Sequence, residues 1–143
     1  MNIVLCDTSV FVATKENEPS LQKIPTESFF ESTVACHYTI LSLEVTVIEI
    51  EKKFKYHLDW YYGLIRRLED LGKHSLIKIG AAHKRDILQI FNDKQIADYD
   101  LSFEDCAMLY FAQKNNCCLA AWDSNLIDAG NCKGLETARP DEL

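Results

Sequence analysis

The sequence has no surplus of positive charge: 15 Lys and Arg stand against 22 Asp and Glu, for a formal net charge of −7. A general nucleic-acid coat carries excess Lys and Arg, so that class is excluded. An enzyme whose acids bind cations is not, because bound cations reverse the local sign. No apolar run approaches the ~20 residues that span a bilayer. No basic, apolar leader opens the chain, so a cytoplasmic protein without a membrane partner is expected. Repeats, low-complexity tracts and linkers are absent, and 143 residues suit a single domain, 1–143, with a sizeable core. The six cysteines (Cys6, Cys36, Cys106, Cys117, Cys118, Cys132) lack C-x-x-C or Cys/His zinc spacing. Four lie in or beside apolar segments and read as buried thiols. His37, His57, His74 and His83 have no spacing that makes a metal or nucleophile pair.

What is present is an alternation of short apolar runs and amphipathic stretches. Asn2 to Cys6 is a β-branched apolar run, read as a buried first strand, and Asp7-Thr8-Ser9 follows at once. Lys15 to Pro25 reads as a loop around a short helical piece, with Thr26 as cap of a short helix carrying Phe29 and Phe30. Cys36 to Leu41 is a second strand. Ser42 then reads as a helix cap, and Leu43, Val47, Ile50, Phe54, Leu58, Tyr61, Ile65 and Leu68 mark one long helical stripe, with Gly63 as its point of division. The β-branched run Val45 to Ile50 leaves a strand open there. Ser75 to Ile79 is a third strand, and Ala81 to Asn92 an amphipathic helix with Ile87, Leu88, Ile90 and Phe91 inward.

The densest signal is LSFEDCAMLYFAQKNNCCLAAWDSNL, residues 101–126. Ser102 and Asp105 stand in the S-x-x-D relation of a capping box. Met108, Leu109 and Ala112 follow Asp105 on one helical face. Asn115 and Asn116 break the helix, Cys117 to Trp122 is an apolar run of strand length, and Asp123-Ser124 closes it. Leu126 to Gly134 is turn-rich, and Leu135 to Ala138 gives a last short strand. Strands alternating with helices predict an α/β fold with a mainly parallel central sheet flanked by helices in three layers.

Four carboxylates stand out by position. Asp7 and Asp123 follow apolar strands, and in a parallel sheet those ends share the edge where ligands bind. Asp105 and Glu49 lie near helix N-termini facing that edge. Singly, each has a plain structural reading. Asp7 caps a helix, Asp105 completes its box, Asp123 closes a turn, and Glu49 pairs with Lys53 one turn on. Glu44 competes with Glu49 for the helix position. Together, four clustered carboxylates repel one another unless a cation holds them. Oxygen ligands suit Mg²⁺ or Mn²⁺, and such a site serves in-line phosphodiester displacement.

In these pieces the sequence resembles the PIN-domain ribonucleases, the family that includes VapC-type toxins. IVLCDTSVFVA resembles the family's opening strand and acid. SLEVTVIEI resembles the segment leading to the helix glutamate, which selects Glu49, and residues 101–126 resemble the region of the third and fourth acids. The resemblance implies a PIN-like fold and a metal-dependent endoribonuclease acting on single-stranded RNA. It implies Asp7, Glu49, Asp105 and Asp123 as the catalytic, Mg²⁺- or Mn²⁺-binding acids. Asp7 and Asp105 would be central ligands, and Asp123 would hold a second ion or orient water. Glu49 would bind metal or act as base, with Thr8 and Ser9 bonding a carboxylate or the scissile phosphate. Ser124, Asn125 or Asp128 is left open as a further helper. An antitoxin and a homodimer are the partners that the resemblance implies. The rival class is a catalytically weak PIN-like binding or scaffold module in an RNA-processing complex; a phosphotransfer domain using Asp7 as nucleophile lacks the expected lysine and hydroxyl partners. Arg66-Arg67 and His83-Lys84-Arg85 are small basic clusters. Trp60, Tyr61 and Tyr62 are an aromatic cluster divided between core packing, base stacking and an interface.

Overall fold

The computed structural model describes residues 2–15, 20–35 and 38–143. Five strands form one parallel sheet: β1 (Ile3–Cys6), β2 (Thr39–Leu43), β3 (His74–Ile77), β4 (Cys118–Ala120) and β5 (Thr137–Ala138). Their order is β3-β2-β1-β4-β5. Register pairs Val4 with Ile40 on one side and with Cys118 on the other, so β1 is the central strand. The apolar runs at the two ends of the sequence are therefore neighbours. Strands buried on both faces need not alternate apolar and polar residues, and these read as continuous apolar runs.

Side-chain alternation along the strands divides the core in two. Val4 and Cys6 of β1, Ile40 of β2 and Cys118 and Ala120 of β4 face one layer. That layer holds α1 (Thr8–Val12), α2 (Ser20–Val34), α3 (Glu44–Phe54) and α4 (Asp59–Asp70), which contribute Phe11, Phe29, Ile50, Tyr61 and Leu68. Leu5, Leu43 and Leu119 face the other layer, formed by α5 (Ala81–Phe91), α6 (Phe103–Lys114) and α7 (Ser124–Cys132). The fold is thus the three-layer α/β arrangement expected. The first layer is aromatic, with Phe11 stacked on Phe30 at 5.7 Å and edge-on to Tyr61 at 5.6 Å. In the second, α6 buries Cys106, Ala107, Met108, Leu109, Phe111 and Ala112. A helix apolar on most sides belongs inside, and α6 is the spine of that layer.

The boundaries differ from the sequence reading in several places. Ser42 caps no helix: it lies inside β2, wholly buried, with Oγ 2.8 Å from His74 Nε2. Leu43 takes the N-cap position of α3 without a side-chain cap bond. The Val45–Ile50 run is helical, so its β-branched residues yield to tertiary packing. The long stripe does divide, at Lys55 to Leu58 and not at Gly63, which sits inside α4. Lys55 has a left-handed φ of 32°, which turns the chain there. α2 (Ser20–Val34) carries Pro25 inside it, where the expected loop was to end; residues 16–19 of that loop lie outside the described residues. Thr26 caps nothing; its hydroxyl donates to Gln22 O at 2.6 Å and accepts from Trp122 Nε1 at 2.8 Å. β2 begins at Thr39, and the expected start at Cys36 and His37 lies outside the described residues. Leu88 and Phe91 are about half exposed, leaving Ile87 as the fully buried anchor of α5. The turn-rich stretch after Asp123 is helix α7, which the short polar residues Ser124, Asn125 and Asn131 had disguised.

The remaining groups fall to packing. Cys6, Cys106, Cys117 and Cys118 are buried free thiols, and burial pushes Cys106 up to about 11 and Cys118 to about 12. Tyr61 is core and Tyr62 half exposed, while Arg67 reaches Glu31 at 3.1 Å. Among the described residues no helix is long and apolar enough to cross a membrane.

Candidate active site

The sheet order reverses between β1 and β4: the chain moves from β1 outward through β2 and β3, then returns to the other side of β1. The crevice beyond the carboxyl ends of such a pair is where open α/β sheets bind ligands. Here both strands end in an acid. Asp7 follows β1 and caps α1; Asp123 follows β4 and caps α7. A cavity of about 340 Å³ opens at this point, lined by Asp7, Glu49, Asp105 and Asp123 together with Thr8, Ser9, Thr46, Lys53, Ser102 and Glu104. All four acids singled out from sequence line it. Glu44 does not, which separates the two candidates on α3.

Each side chain is held by local chain geometry. Asp7 Oδ2 accepts from Ser9 Oγ at 2.7 Å and from Ser9 N at 3.3 Å. Ser9 Oγ in turn accepts from Trp122 N at 3.0 Å, and Asp7 N donates to Ala120 O at 3.0 Å. One hydroxyl thus clasps the ends of the two strands beside the acid. Asp105 occupies the third position of α6 in the expected reciprocal box: Ser102 N donates to Asp105 Oδ2, and Asp105 N to Ser102 Oγ, each at 3.1 Å. Asp123 Oδ1 accepts from Asn125 N at 2.9 Å. The capping readings of Asp7 and Asp105 are therefore correct, while Asp123, read as closing a turn, caps α7; none competes with a shared site, because a cap bond leaves further carboxylate lone pairs free.

The electrostatics show groups under strain. Burial pushes Asp7 up from 3.8 to about 6, against the stabilising Ser9 bonds and with help from the charge of Asp105. Asp105 is also raised, by burial first and then by Asp123 and Glu104, with the Ser102 bonds opposing. Glu49 is raised by burial and by Glu104 and Asp105, while the Thr8 hydroxyl and Lys53 pull it down. A raised carboxylate in a cleft marks a place where charge is missing. Among the described residues no three acids, histidines or cysteines are drawn tightly enough together to hold a metal ion as they stand. The donor chemistry nonetheless fits a hard divalent cation: the ligands are all oxygen, they repel one another, and such ions complete their shell with water.

Sequence reasoning missed Glu104, Lys53 and Thr46 as cavity residues. Glu104 was legible in principle, since it shares the first turn of α6 with Asp105. Lys53 had been assigned to an ion pair with Glu49, but no such pair forms within 4 Å among the described residues, and its charge acts at longer range. Ser124, Asn125 and Asp128 do not line the cavity, and Asn125 contributes only its backbone N–H. A Ser42–His74–Glu69 chain, with Glu69 Oε1 3.3 Å from His74 Nδ1, has the connectivity of a nucleophile relay. Ser42 is wholly buried, burial holds His74 below its usual value, and the group ties β2 to β3.

The sheet order, the helical layers and the acid-lined crevice at the strand-order reversal define a PIN-like three-layer α/β fold. No protein-family model and no curated protein sequence matches the chain. Among solved structures it is similar to VapBC2 from Rickettsia felis bound to a DNA fragment from its promoter, with TM-score 0.65 and 13% identity over 96% of this chain and 98% of that one. It is similar to FitAcB from Neisseria gonorrhoeae, with TM-score 0.61 and 16% identity over 98% and 99%. PAE2754 from Pyrobaculum aerophilum matches with TM-score 0.60 and 14% identity over 99% and 92%. These neighbours share the fold across nearly their whole length while differing at most positions.

Proposed function

We propose that the chain is a metal-dependent endoribonuclease and the toxin of a toxin–antitoxin pair. The observation that carries this reading is the convergence of Asp7, Glu49, Asp105 and Asp123 on one cavity at the switch point of a PIN-like sheet. The fold neighbours from Rickettsia felis and Neisseria gonorrhoeae support the pairing with an antitoxin. Asp7 and Asp105, half-buried and mutually repelling, would hold Mg²⁺ or Mn²⁺, with Asp123 and Glu49 at its margin. When bound, that cation would supply positive charge to the scissile phosphate and acidify water.

The chain's own residues do the rest. The Ser9 hydroxyl fixes one Asp7 oxygen, so the carboxylate presents its other face to the cavity. Ser102 fixes Asp105 in the same way. Glu49, raised by burial and by its acidic neighbours, is a better proton acceptor than a free glutamate and sits on the cavity wall as the base for an attacking water. Attack by water would leave a 5′-phosphate and a 3′-hydroxyl.

The test is cleavage of labelled single-stranded RNAs with Mg²⁺ or Mn²⁺ by the native chain, by Asp105→Asn and in EDTA. Cleavage that needs the ion and falls at least 100-fold in Asp105→Asn is expected, in line with removal of a charge-stabilising group from an active site. Cleavage indifferent to both would refute the site. A folded chain that binds Mn²⁺ and cleaves no RNA would favour the scaffold reading instead.

A further inference from the structure

The cavity is acidic, yet among the described residues one cation lines it: Lys53, at the last turn of α3. Its Nζ lies 5.4 Å from the centre of the Phe54 ring. Lys15, which follows α1 two residues beyond the cavity-lining Ala13, places its Nζ 5.2 Å from the centre of the same ring. Phe54 is held edge-on by Trp60 at 5.3 Å, and Trp60 is pinned by its Nε1 donating to His57 O at 2.6 Å. Two ammonium groups are thus gathered on one fixed aromatic platform beside the acids. Neither is within ion-pair distance of a carboxylate among the described residues, although Glu49 lies four residues before Lys53.

An exposed cation–π contact is worth only about 0.5–1 kcal/mol, too little by itself to gather two lysine side chains at one ring. The helix C-terminus accounts for Lys53 alone and leaves Lys15 unexplained. Resting on the nuclease reading above, we propose that Lys15, Lys53 and Phe54 form a rim that binds the phosphodiester next to the one being cleaved. The substrate is then a strand that continues past the scissile phosphate on the α3 side. The acidic cavity, whose acids would hold a cation, would take the scissile group; the lysines take its neighbour, which needs positive charge that the acids cannot give.

The experiment is a salt series of binding by fluorescence anisotropy, using a short labelled single-stranded RNA and the Asp105→Asn chain in Mg²⁺, so that turnover does not interfere. For single strands, each phosphate neutralised contributes about 0.7 to the slope of log K against log salt. Lys15→Gln with Lys53→Gln is expected to lower the slope by about 0.7 and to weaken binding about tenfold at low salt. Lys15→Arg with Lys53→Arg is expected to keep the slope. Lys53 is exposed and Lys15 half-buried, and circular dichroism checks that the fold is retained. An unchanged slope in the Gln pair, from a chain whose native form cleaves RNA, overturns the rim and leaves the nuclease reading intact. A native chain that never cleaves, yet loses the slope in the Gln pair, supports the rim as a nucleic-acid contact and overturns the nuclease reading.

Discussion

Asp7 offers the sharpest test of the electrostatics. Its carboxyl binds a proton more tightly in the folded chain than in the unfolded one, at about 6 against 3.8. Below pH 3.8 both states are protonated and the folded state keeps its full stability. As pH rises through 3.8 the unfolded chain ionises freely while the folded one resists, so stability falls until the pH passes about 6 and then levels. At 1.36 kcal/mol per pH unit, the total loss is about 3 kcal/mol. Asp7→Asn cannot ionise, and its amide oxygen can still accept from Ser9. In EDTA at pH 7.5 the variant is therefore expected to be more stable than the native chain by about 2–3 kcal/mol, shrinking to about 1 kcal/mol at pH 4.5. Urea denaturation of both chains across this range measures the difference. Glu49 and Asp105 are raised too and decline in both chains, so they largely cancel in the comparison. Added Mn²⁺ should stabilise the native chain far more than the variant. A difference that is absent at pH 7.5, or the same at both pH values, would refute the claim that Asp7 is held in a charge-deficient pocket.

Two other substitutions probe the layers around the site. Tyr61→Phe removes a buried hydroxyl that has no hydrogen-bond partner among the described residues, and whose own titration burial pushes upward. The change should be neutral or stabilising by up to about 1 kcal/mol in thermal melts; a loss above 1 kcal/mol would mean a bridging water holds that hydroxyl. Ser42→Ala leaves His74 Nε2 buried without its partner and should cost about 1–3 kcal/mol, with RNA cleavage and inertness to serine-directed fluorophosphonates unchanged. Labelling of Ser42 would overturn its structural assignment.

The sheet and the acids were legible because both are written locally. An apolar run ending in Asp reads as strand and cap, and the Ser102–Asp105 box announces α6 before any contact is known. Less legible were elements decided by partners far along the chain. Ser42 looks like a cap and becomes strand because β3 pairs with it and His74 meets its hydroxyl. Pro25 reads as a loop, yet α2 runs through it, anchored by Phe29, Phe30 and the Trp122–Thr26 bond from near the opposite end of the chain. Residues 124–132 are rich in turn-formers, but Leu126, Ala129 and Gly130 bury a face against β4 and β5. Lys53 shows the same limit within the site, since a helix spacing suggested a pair that the surrounding rings redirected.

The Ser9 clasp joins residues 113 positions apart in sequence, and that has a consequence for synthesis. The neighbour strand β4 is synthesised more than a hundred residues after Asp7. Until then β1 is paired at most on its β2 side, and its other edge is open to wrong partners. Contacts of such separation form slowly because loop closure precedes their reward. A chain that stops before Trp122 carries the sequences of β1 and α3, yet it lacks the strand end whose N–H holds Ser9 beside Asp7. The acid-lined crevice is squared only once β4 and the residues that follow it have been made.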